Sequence, residues 1–276
     1  MARIGLALGG GGVRGLAIIP LLEVLDEQGI RPCCISGTSM GAVIGALYAS
    51  GMPAAGIRAW VGDLLEEHSK GSRFPIRLMS RWVSFKDFEF GRHGLFSGGR
   101  FMSLLQEAIR VTRFEDLQIP MKVVATDFWA GKQVVLDSGD LMSAIRASMS
   151  LPGLFTPARL HGRILIDGAG VNPVPHDVLT QCDAVVAIDL MGYMEPGIRS
   201  KPNVFRSILG IYDIMQNAVI EAKLKASPPD VYIKPDIYNI DVLDFDKTWT
   251  VLRQAEPARE TFRRELKSLM ARLEKV

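Results

Sequence analysis

The chain has 276 residues, of which 48% are hydrophobic and 22% are charged; this ordinary globular composition excludes a predominantly disordered protein. A net charge of only +2 excludes the strong basic excess that nucleic-acid-binding proteins use to neutralise phosphates. Since no uninterrupted apolar run reaches about 18 residues, no membrane-spanning helix is predicted, and any membrane contact would be peripheral.

Apolar strands alternate with helix-periodic segments through most of the chain. Strands that are apolar on both faces and separated by helices predict a mostly parallel sheet that is covered on both sides. We therefore expect a three-layer α/β/α fold with a mostly parallel central sheet. The predicted strands are Ile4–Leu8, Pro32–Ser36, Met121–Thr126, Gln133–Leu136, Arg163–Ile166 and Ala184–Asp189, and helices are predicted over Leu16–Gln28 and Met40–Ser50.

The segment from Lys70 to Arg100 departs from this pattern. It carries seven Lys and Arg residues against Asp87 and Glu89, interleaved with aromatic residues. One interpretation is a surface insertion that packs its aromatic side chains on the core. The other is a basic and aromatic lid that covers the candidate nucleophile Ser39, described below, and rests on an anionic membrane.

The remainder, residues 191–276, is predicted to be a helical C-terminal extension. It has long helices over Val204–Ala226 and from about Pro257 to Lys275, and one strand at Val231–Lys234. We expect the whole chain, 1–276, to form a single domain.

A glycine run from Gly9 to Gly15 follows the first strand and opens a helix, so its backbone N–H groups are expected to face an anion. The run also reads G-x-G-x-x-G through Gly10, Gly12 and Gly15, as in dinucleotide-binding proteins. That fingerprint requires an acidic residue at the end of the second strand, whereas this strand ends in Ile35-Ser36-Gly37. A nucleotide is therefore not expected as a ligand.

A second run, Gly37-Thr38-Ser39-Met40-Gly41, has the G-x-S-x-G form of a strand-to-helix elbow. The glycines remove side chains that would block so tight a turn, and the Ser39 hydroxyl stands exposed at its apex. This pattern predicts that Ser39 is a nucleophile.

A serine hydroxyl needs a neighbouring base to take its proton. The last hundred residues contain no histidine, which leaves His161 and His176 as the histidine candidates. Asp167 begins the small-residue turn Asp167-Gly168-Ala169-Gly170, and a buried aspartate with a raised pKa can act as the base alone. Asp127 and Asp189 also end strands and are rivals, and an Asp-Gly pair can simply cap its own turn.

These motifs together resemble the patatin-like phospholipase family. The resemblance covers roughly residues 4 to 190. It rests on Gly10–Gly15, Gly37–Gly41 and Asp167–Ala169, and further on the block Ala147–Pro157 and the run Gly94–Gly98.

The resemblance implies acyl-ester hydrolysis on lipids by a Ser39–Asp167 dyad, without metal or cofactor. It implies an oxyanion hole from the N–H groups around Gly10, Gly11 and Gly12. Arg14 either adds positive field at this loop or is solvated at its rim. Gly15, Gly37, Gly41 and Gly168 are the remaining motif positions.

The expected partner is a lipid or acyl-ester substrate. The three cysteines, Cys33, Cys34 and Cys182, lie in apolar strand-like segments, and adjacent cysteines on a strand point to opposite faces. A disulfide between the adjacent cysteines is therefore not expected, which fits the reducing environment of the cytoplasm. We expect a cytoplasmic location with peripheral contact at the inner membrane surface. Two other functions stay open at this point: a carboxylesterase for soluble esters and a lipid-binding regulatory protein.

Overall fold

The computed structural model describes residues 2–69, 99–194 and 204–274. Nearly all of the basic and aromatic segment 70–100 lies outside these ranges. None of the helices in the described ranges is long and apolar enough to cross a membrane.

Eight strands in the described residues form one sheet, and helices cover it. The strands are β1 Ile4–Leu8, β2 Cys34–Thr38, β3 Met121–Asp127, β4 Lys132–Leu136, β5 Ala158–Leu160, β6 Arg163–Asp167, β7 Ala184–Ile188 and β8 Val231–Ile233. The helices are α1 Ile18–Glu27, α2 Met40–Ala49, α3 Ala54–Ser69, α4 Gly99–Ile109, α5 Leu141–Ser148, α6 Val204–Ala226, α7 Thr248–Ala255 and α8 Ala258–Leu273.

Alternating side chains of the central strands build a core on each face of the sheet. Leu6 and Leu8 of β1 belong to the larger core with residues of α1, α2 and α8, whereas Ala7 faces a second core that includes Ile220 of α6. The sheet is thus covered on both faces, which confirms the predicted α/β class.

The strand directions agree with the expectation of a mostly parallel sheet in its central part. β1 pairs in parallel with β2 and β7, β2 with β3, and β7 with β8. β4 and β6 run antiparallel to β3, and β5 runs antiparallel to β6. In the extension after residue 191, the strand predicted at Val231–Lys234 is present as β8, which adds to the edge of the sheet.

One edge of β3 determines where the site forms. β4 occupies one edge, since Ala125 pairs with Val134 there. The other edge is shared: Thr38 at the end of β2 pairs with Val124, and Asp167 at the end of β6 pairs with Ala125. The carboxyl ends of β2 and β6 therefore meet head to head on β3.

Candidate active site

The turn after β2 is a sharp elbow with Ser39 at its apex. Ser39 has φ 53° and ψ −122°, a left-handed conformation that is uncommon for a non-glycine residue. A Cβ on Gly41 would lie 2.2 Å from the carbonyl oxygen of Leu8, and one on Gly37 would lie 2.7 Å from the backbone of Ala42. Both glycines are thus required for close backbone approach, as the elbow motif predicts.

Ser148, the last residue of α5, links the elbow to β3 through two hydrogen bonds. Its hydroxyl accepts a hydrogen bond from the Ser39 N–H at 2.8 Å and donates one to the Val124 carbonyl at 2.6 Å. It is fully buried. Ser148 falls inside the Ala147–Pro157 block, but no local pattern in the sequence indicates that it holds the elbow.

The Asp167 carboxyl lies directly against the serine. Its Oδ2 accepts a hydrogen bond from Ser39 Oγ at 2.8 Å, and its Oδ1 accepts one from the Ala169 N–H at 2.8 Å. Burial raises the pKa of Asp167 to about 6, against the lowering effect of these two hydrogen bonds. The carboxylate is therefore a stronger base than an exposed aspartate and is still mostly ionised at neutral pH.

Gly168 lets the chain turn over β3 immediately after Asp167. A Cβ at this position would lie 2.1 Å from the Val124 carbonyl oxygen and 3.2 Å from Thr38 Cγ2. Because the glycine sits against both β2 and β3, Asp167 is held next to the end of β2. The Asp167 side chain also caps this turn, so the capping function considered from the sequence coexists with the contact to Ser39.

The glycine loop after β1 lies beside Ser39. A Cβ on Gly10 would lie 3.3 Å from Ser39 Cβ. Gly10 itself donates its N–H to the Pro173 carbonyl at 2.9 Å, so this N–H is not free for an oxyanion. In the part of the chain that the structure describes, the backbone hydrogen bonds leave Gly11 and Gly12 as the available donors.

Close contacts fix the second half of the glycine loop, from Gly12 to Gly15. Gly12 has φ +57°, and a Cβ there would lie 2.1 Å from the Val242 carbonyl oxygen, which accepts the Val13 N–H. A Cβ on Gly15 would lie 2.3 Å from the Met40 side chain. The loop is therefore clamped between α2 and a segment of the C-terminal extension.

Arg14 is buried, not solvated at the rim. Its guanidinium forms two hydrogen bonds with Asp213 of α6, at 3.1 and 3.3 Å, and its Nε donates to the Gly11 carbonyl at 3.3 Å. Its side chain is 4% exposed. Arg14 therefore links the glycine loop to α6, and the Asp213 carboxylate balances its positive charge. The sequence motif does not indicate this role.

Neither histidine candidate approaches the serine. Both ring nitrogens of His176 lie against backbone carbonyls, those of Val174 at 3.0 Å and Ser227 at 2.9 Å. His161 occupies the exposed turn between β5 and β6 with φ 49°. Among the described residues, the hydrogen bond of the Ser39 hydroxyl goes to Asp167 and to neither histidine.

The rival aspartates also have other partners. Asp127 caps the turn after β3 by accepting the N–H groups of Trp129 and Ala130. Asp189 is buried and accepts hydrogen bonds from the Met191 N–H and the Tyr232 hydroxyl. Of the carboxylates weighed from the sequence, Asp167 is the one that contacts Ser39.

Comparison with known proteins agrees with this geometry. Residues 6–180 match the family model of patatin-like phospholipases. An NTE family protein of Mycobacterium tuberculosis is 33% identical over 205 residues, which are 73% of this chain and 53% of that protein. Lysophospholipase NTE1 of Kluyveromyces lactis is 32% identical over 271 residues, which cover 88% of this chain and 18% of that protein. The chain thus spans about half or less of these curated relatives.

Two solved structures share the fold at low sequence identity. VipD from Legionella pneumophila superposes with a TM-score of 0.54 and 12% identity, covering 95% of this chain and 66% of that one. ExoU from Pseudomonas aeruginosa, in complex with SpcU, superposes with a TM-score of 0.52 and 13% identity, covering 97% of this chain and 52% of that one.

Proposed function

Because this chain belongs to the patatin-like phospholipase family, we propose that it is a serine acyl hydrolase that cleaves lipid acyl esters, as a phospholipase A or lysophospholipase does. The observation that carries the proposal is the 2.8 Å hydrogen bond from Ser39 Oγ to Asp167 Oδ2 at the apex of a strained elbow. A nucleophile and a base within hydrogen-bond reach are the minimum that acyl transfer requires.

In the proposed reaction, Ser39 Oγ attacks the ester carbonyl carbon while its proton passes to Asp167 Oδ2. The N–H groups of Gly11 and Gly12 donate to the oxyanion, and the N-terminus of α2, which begins directly after Ser39, adds favourable field. When the C–O bond breaks, its electron pair goes to the leaving oxygen, which takes the proton from Asp167. Asp167 then deprotonates a water that attacks the acyl-Ser39 ester; as the acyl–Oγ bond breaks, its electron pair goes to Ser39 Oγ, which takes the proton back from Asp167, and the acid leaves.

Exposed apolar side chains favour a lipid over a soluble ester. They lie on the turn after β3 and on the outward face of α6, whose inward residue Asp213 reaches the glycine loop. The Trp129 side chain is 80% exposed, which is unusual for so large an apolar residue. We call this set the apolar rim: Phe128, Trp129, Val204, Ile208, Ile211, Ile214 and Met215.

We propose that the apolar rim makes the peripheral membrane contact, since aromatic and aliphatic side chains of this kind insert at the lipid interface. Trp129→Ser and Ile211→Ser should lower co-sedimentation with phospholipid vesicles, whereas Trp249→Ser removes an exposed tryptophan outside the rim and should not. Variants that bind vesicles like wild type would refute the apolar rim, and a wild type that hydrolyses soluble esters without binding vesicles would favour the carboxylesterase. The proposed location is the cytoplasm, at the inner membrane surface.

Labelling with a fluorophosphonate probe tests the nucleophile. Wild-type protein should be labelled, Ser39→Ala should not, and Ser138→Ala, which removes an exposed serine, should label like wild type. Asp167→Asn should lose ester turnover while Asp127→Asn keeps it. Labelling that survives Ser39→Ala would end the assignment, and wild-type vesicle binding without any turnover would favour a lipid-binding regulatory protein.

A further inference from the structure

Tyr212 of α6 carries a buried hydroxyl that lacks a hydrogen-bond partner among the described residues. A buried hydroxyl without a partner is costly, and most such groups in native proteins are paired. Replacing this tyrosine with phenylalanine would avoid the cost without changing the shape. The hydroxyl is therefore available to hydrogen-bond a bound ligand.

The position of this hydroxyl relates it to the dyad. It lies 3.8 Å from the point where a Cβ on Gly170 would be, and the Thr126 hydroxyl lies 3.3 Å from the same point. Gly170 ends the turn that begins at Asp167, and Tyr212 is close enough to that carboxylate for its charge to act on the phenol. The phenol is therefore on the Asp167 side of Ser39.

The glycine loop is linked to the next residue of the same helix. The residue after Tyr212, Asp213, turns towards that loop through Arg14. Two consecutive residues of α6 thus reach two parts of the site, Tyr212 the base and Asp213 the loop. In the proposed reaction the loop N–H groups bind the oxyanion, which leaves the phenol for the other oxygen of the ester.

We propose that the Tyr212 hydroxyl donates a hydrogen bond to the leaving oxygen of the ester, an inference that rests on the proposed acyl transfer. The leaving oxygen must approach Asp167 to receive its proton, which places it on the side where the phenol lies. As the C–O bond breaks, the electron pair goes to this oxygen, Asp167 supplies the proton, and Tyr212 keeps its own.

The surroundings of the phenol suit a donor that is never deprotonated. Burial and the charge of Asp167 both raise the pKa of Tyr212, so the O–H is retained at every pH at which the enzyme would work. A strongly basic alkoxide, such as that of a glycerol, gains much from such a hydrogen bond. A weakly basic leaving group such as p-nitrophenolate gains little.

The test compares two esters of one short fatty acid, the glyceryl and the p-nitrophenyl ester, in wild type and Tyr212→Phe. Because kcat/KM reports the steps up to acylation, it isolates the departure of the leaving group. For the glyceryl ester it should fall about 10- to 100-fold, as expected for one hydrogen bond to a charged oxygen. For the p-nitrophenyl ester the loss should be less than about threefold. Tyr238→Phe, which alters an exposed tyrosine, should change neither value.

Two further measurements separate this role from a structural one. Fluorophosphonate labelling of Ser39 expels fluoride and no alkoxide, so Tyr212→Phe should label at the wild-type rate. Its unfolding temperature should equal or exceed that of wild type, because an unpaired buried hydroxyl is removed.

Equal losses on both esters, no loss on either, or a lower unfolding temperature would each overturn the inference. A wild type that is not labelled and hydrolyses neither ester would instead refute the proposed function.

Discussion

Replacing Asp167 with asparagine should abolish turnover and stabilise the protein at the same time. The carboxyl is 3% exposed, and burial raises its pKa to about 6 from an ordinary 3.8. A group whose pKa is higher in the folded than in the unfolded state opposes folding when it is ionised. The pKa difference of about 2.2, at about 1.36 kcal/mol for each pKa unit, gives roughly 3 kcal/mol lost above pH 6.

Asparagine keeps both contacts of the aspartate without its charge. Its Oδ1 can accept the Ala169 N–H, and its Nδ2 can donate to Ser39 Oγ. Asp167→Asn should therefore exceed wild type in free energy of unfolding by roughly 3 kcal/mol at about pH 8 and by about 1 kcal/mol near pH 4.5. The sign follows because wild type loses stability as pH rises from about 4 through 6, and the variant does not.

Urea unfolding followed by circular dichroism at several pH values measures this difference. Ser39→Ala is the matched control: it is equally inactive but retains the buried carboxylate, so it should show no gain at about pH 8. A stability difference between Asp167→Asn and wild type that is constant from about pH 4.5 to 8, or a loss at pH 8, would refute the reasoning.

Three more predictions follow from the described contacts. The kcat/KM for ester hydrolysis should fall about tenfold for each pH unit below about 6, as Asp167 is protonated; a flat profile down to about pH 5 would contradict this. Gly168→Ala should lower the free energy of unfolding by about 1–3 kcal/mol and remove most of the turnover, because its Cβ would lie 2.1 Å from a backbone oxygen. Gly210→Ala, in open space on α6, is the control and should raise the free energy of unfolding by up to about 1 kcal/mol. Equal melting temperatures of the two variants would contradict the clash. Asp213→Asn should lower the free energy of unfolding by about 2 kcal/mol, less than for a fully buried pair because Asp213 is 29% exposed, and the loss should vanish in an Arg14→Met background.

Some elements could be predicted from the sequence with their exact bounds. β1 spans the predicted Ile4–Leu8, and α6 spans the predicted Val204–Ala226. β2 runs to Thr38, beyond the predicted end at Ser36, since Gly37 and Thr38 still pair with β3 before the elbow turns. In the sequence, Gly37 and Gly41 indicate a turn. The pairing with β3, a distant segment, is what keeps Gly37 and Thr38 in the strand.

The short-range patterns indicated Ser39 and a set of candidate aspartates, and the family resemblance implied that Asp167 is the one that contacts Ser39. The free N–H groups of the glycine loop could not be anticipated, since Gly10 is paired with a Pro173 carbonyl from a distant part of the chain. Tyr212 and Asp213 were missed for a related reason. On an amphipathic helix, periodicity indicates which face is apolar, but it does not indicate which polar side chain turns inward.

The head-to-head meeting of β2 and β6 on β3 also bears on how the protein matures. The elbow is built by β1, β2 and α2 and is held by Ser148 of α5, but the base joins it from a residue 128 positions later, when β6 docks on the remaining half of that edge. A chain that has assembled these elements without β6 would hold a complete nucleophile turn with no base beside it. Esterase activity would therefore report the final closure of the sheet, and recovery of activity during refolding should lag behind recovery of secondary structure.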